Sequence, residues 1–167
     1  MILKVYSDAS YLVLPKSRSR YAGYFWLIDH PSLHELRLHN GAILVECKRI
    51  RHIVTSAAKV ETTGVFRNAN MEFPLRRLLQ RMGHKQPSTT IRTDNKTTTV
   101  FIKNDIQMKK SKSWDMHLHW LHDRKITKEF NVIWERGDKN QVDYFTKHFS
   151  TIYHRNIRSS YVQDKSV

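Results

Sequence analysis

Apolar residues first arrive in short runs of the length that suits buried strands. Ile2, Leu3, Val5 and Tyr6 make one such run, expected to end at Ser7-Asp8. Tyr21 to Ile28 makes a second, rich in aromatic residues, and Ala42 to Glu46 a third, just after the turn signal Asn40-Gly41. The stretch from Pro31 to His39 is expected as an exposed loop. Strands that precede any helix predict an antiparallel start.

The period then changes. From about Ser56 to Met82, the residues Val60, Phe66, Ala69, Phe73, Leu78 and Met82 recur at helical intervals, and Gly83 supplies a stop. Pro74 should kink or divide this helix. Thr89 to Thr93 reads as a short strand, after which Asp94 can cap a brief helix reaching about Lys103. Ser113 can cap another, to about Arg124, with Trp114, Leu118 and Leu121 on one face. Phe130, Val132 and Trp134 alternate with Asn131, Ile133 and Glu135, which is strand periodicity. A last helix follows Gly137, with Val142, Phe145 and Phe149 pointing one way. Beyond about Thr151 the chain is polar and basic and is expected to fray. The order predicts an α/β fold, a five-stranded mixed sheet flanked by helices, over residues 1–150, with 151–167 a flexible basic tail.

Composition narrows the function. The 167 residues suit one domain, and 40% hydrophobic with 26% charged residues is the balance of a globular chain. No apolar run approaches the roughly 20 residues that span a bilayer, and Lys4 interrupts the apolar start, so neither a membrane span nor a signal peptide is expected. The chain is expected to be soluble and intracellular. The single cysteine, Cys47, excludes an internal disulfide or a cysteine-based zinc site and reads as a small strand hydrophobe. A net charge of +14 attracts polyanions. Nucleic acid is favoured over an anionic membrane, because the basic residues are spread out, with short clusters at Lys16 to Arg20, Lys48 to Arg51 and Lys109 to Lys112.

Asp8, Glu61, Asp94 and Asp143 are the candidate chemistry. Each has a bland explanation by itself. Asp8 follows a strand, Asp94 would be a helix cap, Glu61 a solvated helix position, and Asp143 the partner of Lys147 four residues on. As a set they fit phosphodiester cleavage. That chemistry uses two metal ions roughly 3.5 to 4 Å apart, one activating water and the other steadying the leaving oxygen. Oxygen-only ligands point to Mg²⁺, with Mn²⁺ as a substitute, and converging carboxylates need such cations to stay ionised.

Ordered motifs surround these acids. Tyr6-Ser7-Asp8-Ala9-Ser10, Thr55-Ser56-Ala57-Ala58-Lys59-Val60-Glu61, Arg92-Thr93-Asp94-Asn95 and Gln141-Val142-Asp143-Tyr144-Phe145-Thr146-Lys147 resemble the signature segments of the ribonuclease H domain of Ty1/copia-type retrotransposon polyproteins. Lys110-Ser111-Lys112-Ser113-Trp114-Asp115-Met116, followed by His119, resembles a further segment of these elements. The resemblance covers roughly residues 3 to 149. It implies a ribonuclease H-like fold, Mg²⁺-dependent hydrolysis of the RNA strand of RNA/DNA hybrids, and catalytic and metal-binding roles for Asp8, Glu61, Asp94 and Asp143. Ser10 and Asn95 would contact the substrate backbone. It also implies a reverse transcriptase domain of the same polyprotein as partner, and a setting in the cytoplasm, a virus-like particle or the nucleus. The isolated domain is expected to be a monomer.

The resemblance has departures. The acid usual two residues before the catalytic Glu is here Lys59. No histidine lies between Trp134 and Asp143 to aid product release, so such help would come from elsewhere, for instance His148. Lys109, Lys110, Lys112 and Ser113 form a further candidate substrate contact, at the open amides of a helix start. His117, His119 and His122 do not complete a tetrahedral zinc set, and Trp114 and Trp120 read as core. A binding-only relative would have eroded acids. An integrase or transposase would take its last Glu from a late helix and lack Glu61.

Overall fold

The computed structural model describes residues 1–28, 41–103 and 112–161, with backbone alone for 101 and 112–115. The expected loop from Pro31 to His39 therefore lies outside the described residues, as do Lys109 and Lys110. The strands are β1 (Ile2–Leu14), β2 (Arg18–Ile28), β3 (Leu44–Arg49), β4 (Thr89–Thr93) and β5 (Phe130–Trp134), and they form one five-stranded sheet in the order β3-β2-β1-β4-β5. β1, β2 and β3 pair antiparallel, whereas β4 pairs parallel to both β1 and β5. The helices are α1 (Ala57–Arg81), α2 (Lys96–Lys103), α3 (Lys112–Ile126), α4 (Asp143–Thr146) and α5 (Thr151–Ile157). The mixed sheet flanked by helices is the architecture expected from the order of apolar runs.

Side-chain alternation along β1 builds two cores. Leu3 and Val5 pack to one side with Phe25, Ile91 and Val132, under Val65, Ala69 and Leu79 of α1 and Leu121 of α3. Ile2 and Tyr6 face the other side with Tyr24 and Trp26, against Val142. Burying each of these large side chains is worth about 1.5–3 kcal/mol, so both faces of the sheet hold their helices by hydrophobic contact. Asn68 ties α1 to the sheet from within the core, its amide donating to Ser7 Oγ at 2.8 Å and to the Ala22 carbonyl at 2.9 Å. This contact requires glycine opposite it. A Cβ at Gly23 would stand 2.2 Å from Asn68 Oδ1, so Gly23→Ala should cost about 1–3 kcal/mol of stability. Urea unfolding measures this, and a loss under about 0.5 kcal/mol would contradict the close approach.

The expected elements differ from the observed ones in instructive places. β1 does not end at Asp8 but continues to Leu14, because β2 goes on pairing with it through Asp8↔Ala22, Ala9↔Tyr21 and Ser10↔Arg20. Ser7, Asp8 and Ser10 are polar yet buried, so hydropathy hides this part of the strand. β3 runs later than expected, to Arg49, along the sheet edge with its basic residues exposed. Pro74 does not divide α1, since it sits on the exposed side of the helix, where the carbonyl it deprives of a donor can face water. Gly83, at φ +88°, stops the helix as expected, and the His84 amide closes it on the Leu79 carbonyl at 3.0 Å.

The last helix is broken into pieces. A 3₁₀ turn at Gly137–Lys139 precedes α4, Lys147 is extended, and Ser150 caps α5 by accepting from the Tyr153 amide at 3.3 Å. Val142 and Phe145 still share a face, but Phe149 turns away to stack on Tyr153 at 4.2 Å. Residues 151–157, expected as part of a polar tail, form α5. Beyond α5 a second 3₁₀ turn, Arg158–Ser160, delivers the Tyr161 ring edge-on to Tyr24 and Phe145, which anchors the segment.

Candidate active site

The sheet register brings the first two acids together. Tyr6↔Arg92 is the last pair between β1 and β4, and two residues further along the chain in each case stand Asp8, within β1, and Asp94, just past the end of β4. Because side chains alternate with a period of two, both carboxylates point to the same side as that pair, on strands about 4.8 Å apart. Asp143, at the first turn of α4, completes the group. One carboxylate oxygen from each of Asp8, Asp94 and Asp143 lies within 4.8 Å of the others.

α4 is pinned to β1 by polar contacts. Asn140, buried, donates to the Ser7 carbonyl at 3.2 Å and accepts from the Val142 amide at 3.4 Å. The Ser10 hydroxyl donates to the Thr146 carbonyl at 3.0 Å, and the Thr146 hydroxyl donates to the Asp8 carboxylate. Thr146 lies three residues after Asp143, so it returns to the same helix side and can reach the neighbouring acid. The motif around Asp143 contains it, but nothing in the sequence distinguishes its inward hydroxyl.

Asp94 is not the cap of α2. That role belongs to Asn95, whose Oδ1 accepts from the Thr98 amide at 2.9 Å. The Asp94 side chain is left to the site, and its backbone carbonyl accepts from Trp134 Nε1 at 2.9 Å. Lys96 steadies that indole from above, 4.6 Å from the ring centroid. Close packing continues at Gly137, where a Cβ would meet Asp94 Oδ2 at 3.2 Å.

Glu61 comes from the opposite face of the sheet, near the start of α1. The helix approaches β1 closely at Gly64, where a Cβ would stand 3.2 Å from the Ala9 Cβ and 3.4 Å from the Asp8 carbonyl. One turn earlier, Glu61 stands outside the triad of aspartates but within reach of their charge. A bond between the Thr62 and Thr98 hydroxyls, 3.0 Å long, locks α1 to α2 beside it.

Electrostatically the site is unfinished. Glu61 Oε2 and Asp143 Oδ1 are buried with no hydrogen-bond partner. Burial, and then the charges of Asp8, Asp94 and Asp143, push the Glu61 carboxyl up to about 9. Burial and Asp8 also raise Asp94. Asp143 is raised to about 6 by burial, with its bond from Lys147 acting against the rise and Asp8 and Asp94 adding to it. The ion pair of Asp143 with Lys147 is thus formed, yet Lys147 is 48% exposed and can swing away.

The other candidate residues fall less near the acids. Ser10 is turned inward to Thr146, and the amide oxygen of Asn95 is engaged in capping. Lys112 and Ser113 lie in the first turn of α3, so Ser113 stands inside the helix and not at its cap. His117 stacks on Phe66 at 4.0 Å, and burial, together with Arg67 and His52, lowers its pKa. No histidine joins a metal-binding group among the described residues. Trp120 packs against the core with Phe66 and Phe130, as its helical position implied. Cys47 is exposed on β3, its thiol bonded to the Phe145 carbonyl at 3.2 Å.

An antiparallel three-strand start, two parallel strands and acids gathered at the β1/β4 junction define a ribonuclease H-like fold. Solved structures bear this out. The chain is similar to LC11 ribonuclease H1 in complex with an RNA/DNA hybrid, with TM-score 0.59, 10% identity, and 86% of this chain and 92% of that one covered. It is also similar to the N-terminal ribonuclease H domain of a Mycobacterium tuberculosis protein, studied as a fusion with maltose-binding protein (TM-score 0.57, 12% identity, 87% and 90% covered). Ribonuclease H1 from the halophilic archaeon Halobacterium salinarum aligns equally well (TM-score 0.57, 9% identity, 87% and 94% covered). At such identities the likeness is one of fold. No protein-family model matches the chain, and no curated protein matches its sequence.

Proposed function

We propose that the chain is a divalent-metal-dependent ribonuclease that hydrolyses the RNA strand of RNA/DNA hybrids, in the setting of retroelement reverse transcription. The observation that carries this reading is the convergence of Asp8, Asp94 and Asp143 within 4.8 Å, beside a Glu61 whose buried oxygen has no partner. Such a group is unfavourable without cations, and its all-oxygen donor set suits Mg²⁺ or Mn²⁺. The three aspartates would hold the metal, with Glu61 as the fourth carboxylate. Two ions there would activate water and stabilise the leaving 3′ oxygen, with no covalent enzyme intermediate.

The protein's own part is placement. Thr146 orients Asp8, Trp134 and Gly137 fix Asp94, and Asn140 fixes the start of α4 that carries Asp143. Lys147 offers a replaceable positive charge that keeps Asp143 ionised until cations arrive. The basic surface, at net +14, draws in the polyanionic substrate. The Ty1/copia-like motifs support the retroelement setting and a reverse transcriptase domain as partner.

The test is incubation of the full chain with an end-labelled RNA/DNA hybrid in Mg²⁺. The RNA strand should be cut internally, leaving 3′ hydroxyl ends and intact DNA, and chelation should stop the reaction. Equal cleavage of single-stranded RNA, or no cleavage in either metal, would overturn the reading.

A further inference from the structure

The segment 151–161 folds back and builds two cavities on either side of one ring pair. Tyr144 and Tyr161 stack at 4.9 Å and 23°, and both line each cavity. The first, about 470 Å³, begins at Asp143 and Lys147 and is walled by Phe149 and Tyr153. The second, about 650 Å³, has a largely apolar floor that includes Tyr24 and Phe145, and carries Arg155 and Arg158 on its wall. An aromatic path therefore leads from the acid cluster to a pair of guanidinium groups.

The cations on this path have work to spare. The Arg155 and Arg158 side chains are exposed, three residues apart, and their guanidinium groups enter no hydrogen bond or ion pair among the described residues. Tyr153 is 37% exposed, its inner face stacked on Phe149 at 4.2 Å and 17°. Unpaired guanidinium groups beside partly open aromatic rings complement a chain of phosphates and bases. A duplex hides its base faces within its own stack, whereas a single strand presents them, and base–aromatic stacking is indifferent to sequence.

We infer that this groove binds single-stranded nucleic acid leaving the acid cluster, with a base stacked on the open face of Tyr153, at the end of the Tyr153–Phe149–Tyr144–Tyr161 ring stack, and phosphates on Arg155 and Arg158. The inference rests on the proposed nuclease reading for the strand's direction. Its physical basis, aromatic faces plus unpaired cations, is independent of cleavage. The segment beyond the last acid is then a track for a strand, not a passive end.

Fluorescence anisotropy of the full chain with a labelled oligothymidylate of about 12 nucleotides, in chelator, tests this without any catalysis. The double variant Arg155→Ala/Arg158→Ala should bind roughly tenfold more weakly, and its log–log salt slope should shrink by about 1.4, at about 0.7 per lost phosphate contact. Tyr153→Ala should weaken binding roughly fivefold or more, while Tyr153→Phe keeps the ring and the affinity. The charge-matched control Arg81→Ala/Lys85→Ala, at the far end of α1 and roughly 30 Å along the helix from Glu61, should change affinity less than threefold. Equal losses in the two double variants, or no oligonucleotide binding by the full chain, would overturn the inference and leave the groove to a protein partner. Groove-dependent binding without hybrid cleavage would sink only the nuclease reading.

Discussion

Asp94→Asn should lower Mg²⁺-dependent hybrid cleavage by about a thousandfold or more, the scale on which removing one member of an interdependent catalytic unit acts. The substitution changes charge and little else. Asn95 caps α2, and Trp134 holds the backbone carbonyl of residue 94, so neither structural bond uses the carboxylate. The variant should therefore fold, and in metal-free buffer it should be at least as stable as the parent, since it relieves repulsion with Asp8. Single-turnover cleavage rates and thermal melts measure both halves. Cleavage within tenfold of the parent by a folded variant would remove Asp94 from the chemistry.

Glu61→Gln should give the second large effect, through stability as well as activity. The Glu61 carboxyl is held up to about 9 by burial and by its three acidic neighbours, against an ordinary value of 4.5. A raised carboxyl binds its proton more tightly in the folded state. Its contribution to stability is complete below about pH 4.5 and is lost as pH climbs towards about 9. The metal-free parent should thus soften across that range, by an amount on the order of a few kcal/mol once the site relaxes. At this chain length each kcal/mol is worth roughly 2–4 °C in melting temperature. Glu61→Gln should flatten that decline and melt higher than the parent at pH 8 without metal, while losing cleavage. Mg²⁺ should raise the parent's melting temperature more than the variant's. A variant that melts lower than the parent at pH 8 would show that Glu61 is paired rather than frustrated.

Period and order along the chain were enough for the sheet, because Leu3, Val5, Ile91 and Val132 announce a buried β core whatever their neighbours. The aspartates were visible for a different reason, as acids beside strand ends and within recognisable motifs. What stayed hidden depends on long-range contacts. Nothing local distinguishes Asp94 from Asn95 as a helix cap, and only the carbonyl bond from Trp134 and the closeness of Gly137 show which one faces the site. Ser7 and Asp8 look like a strand's end because buried polar residues and exposed ones have the same hydropathy. The polar stretch after Thr151 carries no apolar period because its residues are almost all exposed, and its contacts with the sheet run through single rings such as Tyr161 on Tyr24. Thr146 was legible as part of a motif, yet its bond to Asp8 spans the two ends of the domain.

The pairing of Tyr6 with Arg92 has a consequence for how the chain can vary. Lengthening a connection between elements leaves the alignment of β1 with β4 untouched, so insertions there are tolerable. A residue added or removed between positions 92 and 94 would instead send the second aspartate through to the face covered by α1 and α3, away from Asp8. The spacing of two from pair to acid is therefore a ruler that drift in the surrounding loops cannot rewrite.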